Sequence, residues 1–187
     1  MHAPWDVFHR GAALCQEEEI VPIVEPEVLM DGANDIDRCA EVTEETLSIV
    51  FARLRACGVR MEGILLKPNM VIAGKKSSTQ AGVAEVAEKT IQCMRRVVPA
   101  AVPGLVFLSG GQSPELATSH LNEMNRRGPH PWKLSFSYGR ALQEPSLNAW
   151  KGKPENYARA QDLFYHRSRC NSAARSGEYT AELEKAG

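Results

Sequence analysis

The segment Gly63-Ile64-Leu65-Leu66-Lys67 is a short apolar run that ends in a charged side chain. Residues 20–24, 105–108 and 133–137 have a similar form, and each is followed by acidic, glycine or polar residues. Continuous short apolar runs are typical of parallel strands whose two faces are both covered. The pattern therefore predicts four strands.

Helical periods separate these runs. Apolar residues recur at helical spacing from Leu47 to Leu54, with Thr43 as the expected N-cap and Gly58 as the expected stop. A second stripe covers 83–98, and Ser113 followed by Pro114 predicts the start of a third helix. Further helices are expected over 141–150 and 157–174, and the polar residues 176–187 are expected to form a flexible tail.

Strands that alternate with helices indicate an α/β fold with a parallel sheet built from βαβ units. Two architectures fit this pattern, an open doubly wound sheet or part of a (β/α)8 barrel. A complete barrel needs eight strands and about 250 residues. The 187 residues are expected to form a single domain over 1–187 that supplies about half of such a barrel.

Composition excludes several classes of function. The formal net charge is −1 and apolar residues make up 43% of the chain, so the basic excess of nucleic-acid or membrane-surface proteins is missing. No apolar run is long enough to cross a membrane, and the first residues do not resemble a secretory leader. The five histidines show no metal-ligand spacing, so no metal site is predicted.

Lys67 stands directly after an apolar strand, at the edge of a parallel sheet where ligands bind. Desolvation lowers the pKa of a lysine, and a neutral amine can form a Schiff base with a carbonyl group. The alternative is a strand-end lysine whose stem packs on apolar neighbours while its ammonium reaches water. Spacing alone leaves both interpretations open.

Glu25 and Glu27 follow the first strand and are two residues apart, so both carboxylates are able to face one pocket. Two close carboxylates repel each other, which raises one pKa and leaves one group able to donate a proton. The alternative is a pair of solvated loop acids. A carboxylate beside Lys67 would raise the pKa of the lysine, so a second cation is required nearby, and the sequence offers no obvious candidate.

Two loops after the last strands have the composition of phosphate-binding segments. Ser109, Gly110 and Gly111 precede a helix start, where backbone N–H groups can bind an anion. Ser137, Gly139 and Arg140 add a hydroxyl, a glycine and a guanidinium suited to bidentate phosphate contact. The alternative for each glycine is a turn that needs a positive φ. Glu25, Lys67 and Ser109 are each 42 residues apart, which suggests equivalent positions around one mouth.

Four blocks, in order along the chain, resemble the class I fructose-bisphosphate aldolase family, in which a lysine forms a Schiff base. Val59–Asn69 is similar to the active-site signature of that family, and the other three are Val21–Glu27, Phe107–Ser113 and Phe136–Gln143. The resemblance implies a partial (β/α)8 barrel made of about the last four βα units plus a C-terminal helix. It also implies cleavage of fructose 1,6-bisphosphate to dihydroxyacetone phosphate and glyceraldehyde 3-phosphate, without metal or cofactor.

The resemblance assigns a role to each candidate residue. Lys67 carries the imine, Glu25 is the general acid/base, and Glu27 supports Glu25 by charge and hydrogen bonding. The substrate phosphate is bound by Ser109, Gly110, Gly111, Ser137, Gly139 and Arg140. A transaldolase-like Schiff-base lyase fits the four blocks poorly.

The chain also departs from the family. Members are about twice as long, and the barrel strands that carry a catalytic aspartate and further lysines have no counterpart here. Residues 1–9 match no family block. We therefore expect a chain that is impaired alone and pairs with another half-barrel, or an inactive fragment or assembly module. A full-length member is expected to be a homo-oligomer in the cytoplasm, with the plastid as the alternative compartment.

Overall fold

The structure is a computed structural model that describes residues 4–186, with side chains from His9 onward. It is an α/β fold in which a four-stranded parallel sheet is packed against helices. Short 3₁₀ turns lie at Met61–Gly63 and Pro154–Asn156. In chain order the elements are α1 (Pro4–Glu17), β1 (Ile23–Val24), α2 (Ile36–Ala56), β2 (Leu65–Leu66), α3 (Val83–Val97), β3 (Gly104–Phe107), α4 (Pro114–Arg126), β4 (Lys133–Phe136), α5 (Arg140–Trp150), α6 (Tyr157–Arg175) and α7 (Ala181–Lys185).

The sheet has the order β1-β2-β3-β4, so each strand lies beside its neighbour in sequence. One row of paired residues runs straight across it, from Val24 to Leu66, Leu105 and Leu134. These four side chains are buried against the helices. Residues of the opposite face are more accessible, and Ile23 is 52% exposed. The sheet is therefore covered on one face and open on the other.

The four predicted strands are present, although β1 and β2 each contain only two residues. Their hydrogen bonds continue past the assigned ends: Lys67 N donates to Val24 O at 2.7 Å, and Leu65 N donates to Pro22 O at 3.0 Å. Within residues 4–186, β1 and β4 each pair with a single neighbouring strand. Both edges of the sheet therefore carry unpaired backbone groups.

The α2 helix begins seven residues before the predicted N-cap. Its cap is Asp35, whose carboxylate accepts a hydrogen bond from Arg38 N at 2.8 Å. Thr43 is instead buried inside the helix, and its hydroxyl accepts a hydrogen bond from Asn69 Nδ2 at 3.2 Å. The predicted stop is correct, because Gly58 follows the helix with a φ of +75°. Ser113 caps α4 as expected, by accepting a hydrogen bond from Leu116 N.

The expectation of a flexible tail over 176–187 differs from the structure, which describes this segment as far as residue 186. Glu184, in α7, accepts hydrogen bonds from Arg167 Nη2 at 2.8 Å and from the Tyr179 hydroxyl at 2.6 Å. Arg167 is 3% exposed and also donates to Thr118 of α4. A buried guanidinium needs a counter-charge, and the last helix supplies it.

Within residues 4–186, no helix is both long and apolar enough to cross a bilayer.

Candidate active site

The carboxyl ends of the strands bring the predicted site residues to one edge of the sheet. Lys67 follows β2, and the backbone N–H of Leu108 donates to Pro68 O at 3.1 Å just beyond it. Ser137 N donates to Phe107 O at 2.9 Å, which ties the loop after β4 to the end of β3. Parallel register therefore places the loops after β2, β3 and β4 side by side.

Lys67 and Glu25 form a direct ion pair. Their Nζ and Oε1 atoms are 2.8 Å apart. The Lys67 side chain is 19% exposed and the Glu25 side chain 45%, so the amine is largely shielded while the carboxylate reaches solvent. At this distance the carboxylate can take up or return a proton at the lysine nitrogen or at an atom bonded to it.

Asn69 fixes the backbone on both sides of this pair, and sequence reasoning did not identify it. It is 2% exposed, and its Oδ1 accepts a hydrogen bond from Val28 N at 3.1 Å. Its Nδ2 donates to Thr43 Oγ1 of α2 and to Met70 O. The side chain thus joins the loop after β1 to the loop after β2. An asparagine three residues past the end of β2 was the only available indication of this role.

Glu27 is exposed and is not brought to the Lys67 amine by any contact. Among the side chains described, those of residues 9–186, it makes no hydrogen bond or ion pair. The expected hydrogen bond between Glu27 and Glu25 is therefore not part of this structure. The backbone next to Glu27 is held by Asn69, whose side chain accepts the hydrogen bond from Val28 N.

Two consecutive glycines shape the loop after β3. Gly110 and Gly111 have φ values of +58° and +71°, a conformation that other residues adopt only with strain. A Cβ atom on Gly111 would stand 2.7 Å from Lys75 Nζ and 3.9 Å from Arg140 Nη2. Both cations therefore lie near the point that a Cβ atom of residue 111 would occupy. Ser109, at the start of the loop, is 7% exposed.

The loop after β4 carries the other predicted phosphate residues. Ser137 is half-buried, and Gly139 N-caps α5 with its carbonyl accepting from Leu142 N and Gln143 N. Arg140 is exposed on the first turn of α5, next to Gly111. Tyr138 points the other way: its hydroxyl donates to Ala117 O at 2.9 Å, and burial raises its pKa. That anchor holds the loop against α4.

The half-buried Gln112 and the buried His120 support the loop that begins at Ser109. Gln112 Nε2 donates to Ser109 O at 2.9 Å, and Gln112 Oε1 lies 2.5 Å from His120 Nδ1. His120 is 2% exposed, and burial lowers its pKa from 6.5 to about 4. The imidazole is therefore neutral near pH 7, with its proton on Nδ1 because an amide oxygen can only accept.

A cavity of about 300 Å³ adjoins this loop. Gly110, Gly111, Lys75, Gln80 and His120 contribute to its wall. Lys67 and Glu25 do not line it; they lie toward the open face of the sheet. The cavity therefore adjoins the glycine loop after β3 rather than the Lys67 amine.

His166, Cys170 and Glu184 place one potential metal-ligand atom each within 4.8 Å of one another. Those atoms already have protein partners. Both Glu184 oxygens accept hydrogen bonds from Arg167 or Tyr179, and His166 Nε2 lies 3.0 Å from the carbonyl oxygen of Glu184. Since a carbonyl only accepts, that nitrogen carries its proton and has no lone pair for a metal. These contacts attach α7 to α6, and they explain why the three side chains lie together.

Known proteins resemble the chain in both sequence and structure. The model of the family described as "Glycolytic: Fructose-bisphosphate aldolase class-I" matches residues 2–187, which takes in nearly all of the 1–9 segment. Fructose-bisphosphate aldolase 1 of Toxoplasma gondii is 55% identical over 91% of this chain and 47% of the relative. The cytosolic fructose-bisphosphate aldolase 4 of Arabidopsis thaliana is 49% identical over 94% of this chain and 45% of the relative.

A solved structure agrees with these sequence matches. It is that of Plasmodium falciparum fructose-bisphosphate aldolase in complex with TRAP and a small molecule inhibitor. The two folds superpose with a TM-score of 0.90 at 49% identity, covering 95% of this chain and 52% of the other. The chain thus spans about half the length of the curated relatives it matches. On the strength of a match from residue 2 to residue 187, the chain belongs to the class I fructose-bisphosphate aldolase family.

Proposed function

We propose that this chain carries the Schiff-base part of a fructose 1,6-bisphosphate aldolase site. The observation that carries the proposal is the 2.8 Å pair of Lys67 Nζ and Glu25 Oε1 at the same sheet edge as the glycine loop. The fold is proposed to be a partial (β/α)8 barrel of about the last four βα units plus a C-terminal helix. Membership of the family supports both statements.

In the proposed reaction the Lys67 amine, after transferring a proton to Glu25, attacks the ketone carbon of the substrate. The carbinolamine that forms loses its hydroxyl group as water, with the proton supplied by Glu25, and an imine remains. The protonated imine accepts the electron pair of the breaking carbon–carbon bond, and an enamine forms. The hydroxyl group on the leaving carbon gives its proton to the Glu25 carboxylate, which is ionised again after the loss of water, and departs as the aldehyde. Protonation and hydrolysis release the ketone and restore the amine. This sequence uses no metal and no cofactor.

The phosphate of the substrate is proposed to lie between the two glycine-containing loops. Ser109, Gly110 and Gly111 supply backbone and hydroxyl donors from one side, and Ser137, Gly139 and Arg140 act from the other. The positive φ of both loop glycines and the position of Arg140 beside Gly111 support this arrangement. Glu27 is proposed to act on Glu25 through charge, since no hydrogen bond joins them.

The remaining barrel strands are proposed to come from further residues of a longer chain, from another chain or from a second copy. The unpaired edges at β1 and β4 support this proposal. A full-length member is proposed to be a homo-oligomer with a phosphorylated ketose as substrate and with no nucleic-acid or membrane partner. We propose a cytoplasmic location, with the plastid as the alternative; the cytosolic relative supports the first.

Imine trapping tests the function directly. The chain is incubated with dihydroxyacetone phosphate and borohydride, digested, and mapped by mass spectrometry. We expect the reduced adduct on Lys67, its loss in K67R, and a rate about 10²-fold lower in E25Q, because general acid–base help is removed. Glu62 is exposed and without a side-chain contact among the described residues, so E62Q is the matched control. An adduct that survives K67R, or a folded sample with no adduct, contradicts the proposal and favours an inactive module.

A further inference from the structure

Lys75 is a cation at the glycine loop that neither the strand-end pattern nor the family blocks single out. It comes from the loop after β2, and its Nζ would stand 2.7 Å from a Cβ atom on Gly111. The ammonium therefore occupies the space that a side chain at position 111 would fill. Arg140 Nη2 reaches the same point from α5, at 3.9 Å.

The backbone around Lys75 is held firmly against the loop after β1. Lys75 N donates to Met30 O at 2.8 Å, Gly74 N donates to Asn34 O at 2.9 Å, and Lys76 N donates to Gly32 O at 3.0 Å. The contact is close enough that a Cβ on Gly74 would lie 2.3 Å from Gly32 O. The backbone from which the Lys75 side chain extends is therefore fixed against the loop after β1.

The charge of Lys75 is only weakly neutralised inside the protein. Across residues 9–186, its one acidic partner is Asp31, at 3.6 Å, and that carboxylate is 74% exposed. The Lys75 side chain is itself 48% exposed and borders the cavity of about 300 Å³ beside the loop. An ammonium with a distant partner and adjacent open space is available to an incoming anion.

We propose that Lys75 is a binding residue for the substrate phosphate, acting together with Arg140 across Gly111. A dianionic phosphoryl group over the glycine loop meets backbone N–H donors, a guanidinium and an ammonium, which is the donor set that such an anion requires. Gly111 is needed because any side chain there displaces the ammonium. This inference rests on the proposed function and adds a residue to it.

The adjacent lysine provides a matched control. Lys76 is the next residue along the chain and carries the same charge as Lys75. It is exposed and has no side-chain partner among the described residues. K75M removes the charge and keeps the length, K75R restores a cation, and K76M removes an equivalent charge that does not face Gly111. Thermal melts of the three variants show whether each one folds.

The first measurement is the affinity of the full chain for inorganic phosphate, determined by ³¹P NMR titration. We expect K75M to weaken binding about tenfold, the size of one charge-assisted hydrogen bond, with K75R partly restoring it and K76M within twofold of the wild type. Equal affinities in K75M and K76M, or a wild-type chain that binds no phosphate, overturn the inference.

Imine trapping with two ketones separates this inference from the proposed function. Dihydroxyacetone phosphate carries the phosphate and dihydroxyacetone does not. We expect K75M to raise the half-saturating concentration of the phosphorylated ketone about tenfold and to leave that of dihydroxyacetone unchanged. Equal changes for both ketones mean a structural role and overturn the inference. Failure of trapping at Lys67 with both ketones overturns the proposed function instead, while the phosphate titration still decides the role of Lys75.

Discussion

At the scale of single residues, the charged side chains of the candidate site depend on polar side chains that lie wholly or partly below the surface. Lys67 and Glu25 meet at 2.8 Å, but the backbone that presents them depends on the buried amide of Asn69. The glycine loop after β3 likewise depends on Gln112 and His120. Substitutions of these hidden polar groups are therefore expected to alter the site without touching a ligand.

His120 gives a prediction for the pH dependence of stability. Its pKa is about 4 in the folded chain and near 6.5 in the unfolded chain, so unfolding takes up a proton between those values. Stability from this group is present above pH 6.5 and is lost as the pH falls toward 4, by roughly 3 kcal/mol.

Urea unfolding of the wild type and of H120N at pH 7 and pH 4.5 measures this effect. Asparagine keeps an N–H donor near the position of Nδ1 but does not titrate. The wild type is expected to lose more free energy of unfolding than H120N between the two pH values. Identical losses in both proteins contradict a neutral buried His120.

At the scale of secondary-structure elements, local sequence patterns predicted what local interactions determine. Ser113 and Pro114 identified the start of α4, and Gly58 identified the end of α2, because caps and stops depend on neighbouring backbone groups. The prediction of Thr43 as the N-cap of α2 was wrong, because Asp35 caps the helix eight residues earlier. The Thr43 hydroxyl instead accepts a hydrogen bond from Asn69 Nδ2.

Contacts between distant segments were not predictable in the same way. Lys75 stands in a polar loop that resembles many solvent-exposed loops, and only its pairing with residues 30–34 places it beside Gly111. The polar composition of 176–187 suggested fraying, whereas the buried charge of Arg167 holds Glu184 in place. Such partners are separated by tens of residues, so no local pattern reports them.

The close approach of Gly74 to Gly32 gives a prediction at this scale. A methyl group in G74A meets Gly32 O at 2.3 Å, so the two loops must separate, at a cost of about 2 kcal/mol. Gly11 lies in α1 with nothing within 4 Å of an added Cβ, and G11A is the control. It is expected to gain about 0.5–1 kcal/mol from helix propensity. Chemical denaturation checks both values, and an equally stable G74A contradicts the predicted contact.

At the scale of the whole molecule, the open face and the two unpaired edges of the sheet favour association with another chain. A concave region of about 890 Å³ lies against the accessible side of Leu65 and Val106. Sheet edges and apolar surface of this kind favour association. The straight order β1 to β4 also explains why the α/β class was predictable from the sequence, because each strand pairs with its neighbour along the chain.

Association of the isolated chain is the prediction that follows. We expect either a melting transition of low cooperativity or a dimer in which the open faces meet. Size-exclusion chromatography with light scattering, at several concentrations, and calorimetry measure both properties. A compact monomer that melts in one sharp transition at every concentration contradicts this expectation.

The straight row of paired residues from Val24 to Leu134 shows that the proposed chemistry depends on the register of β2, because that register decides on which face of the sheet Lys67 lies. Leu66 faces the helices, so Lys67, the next residue, faces the opposite side. Sliding β2 by one position would drive the ammonium into the apolar layer and turn a leucine toward the open face of the sheet. A single inserted codon before Lys67 is therefore expected to abolish the proposed imine formation, although every candidate side chain is still encoded.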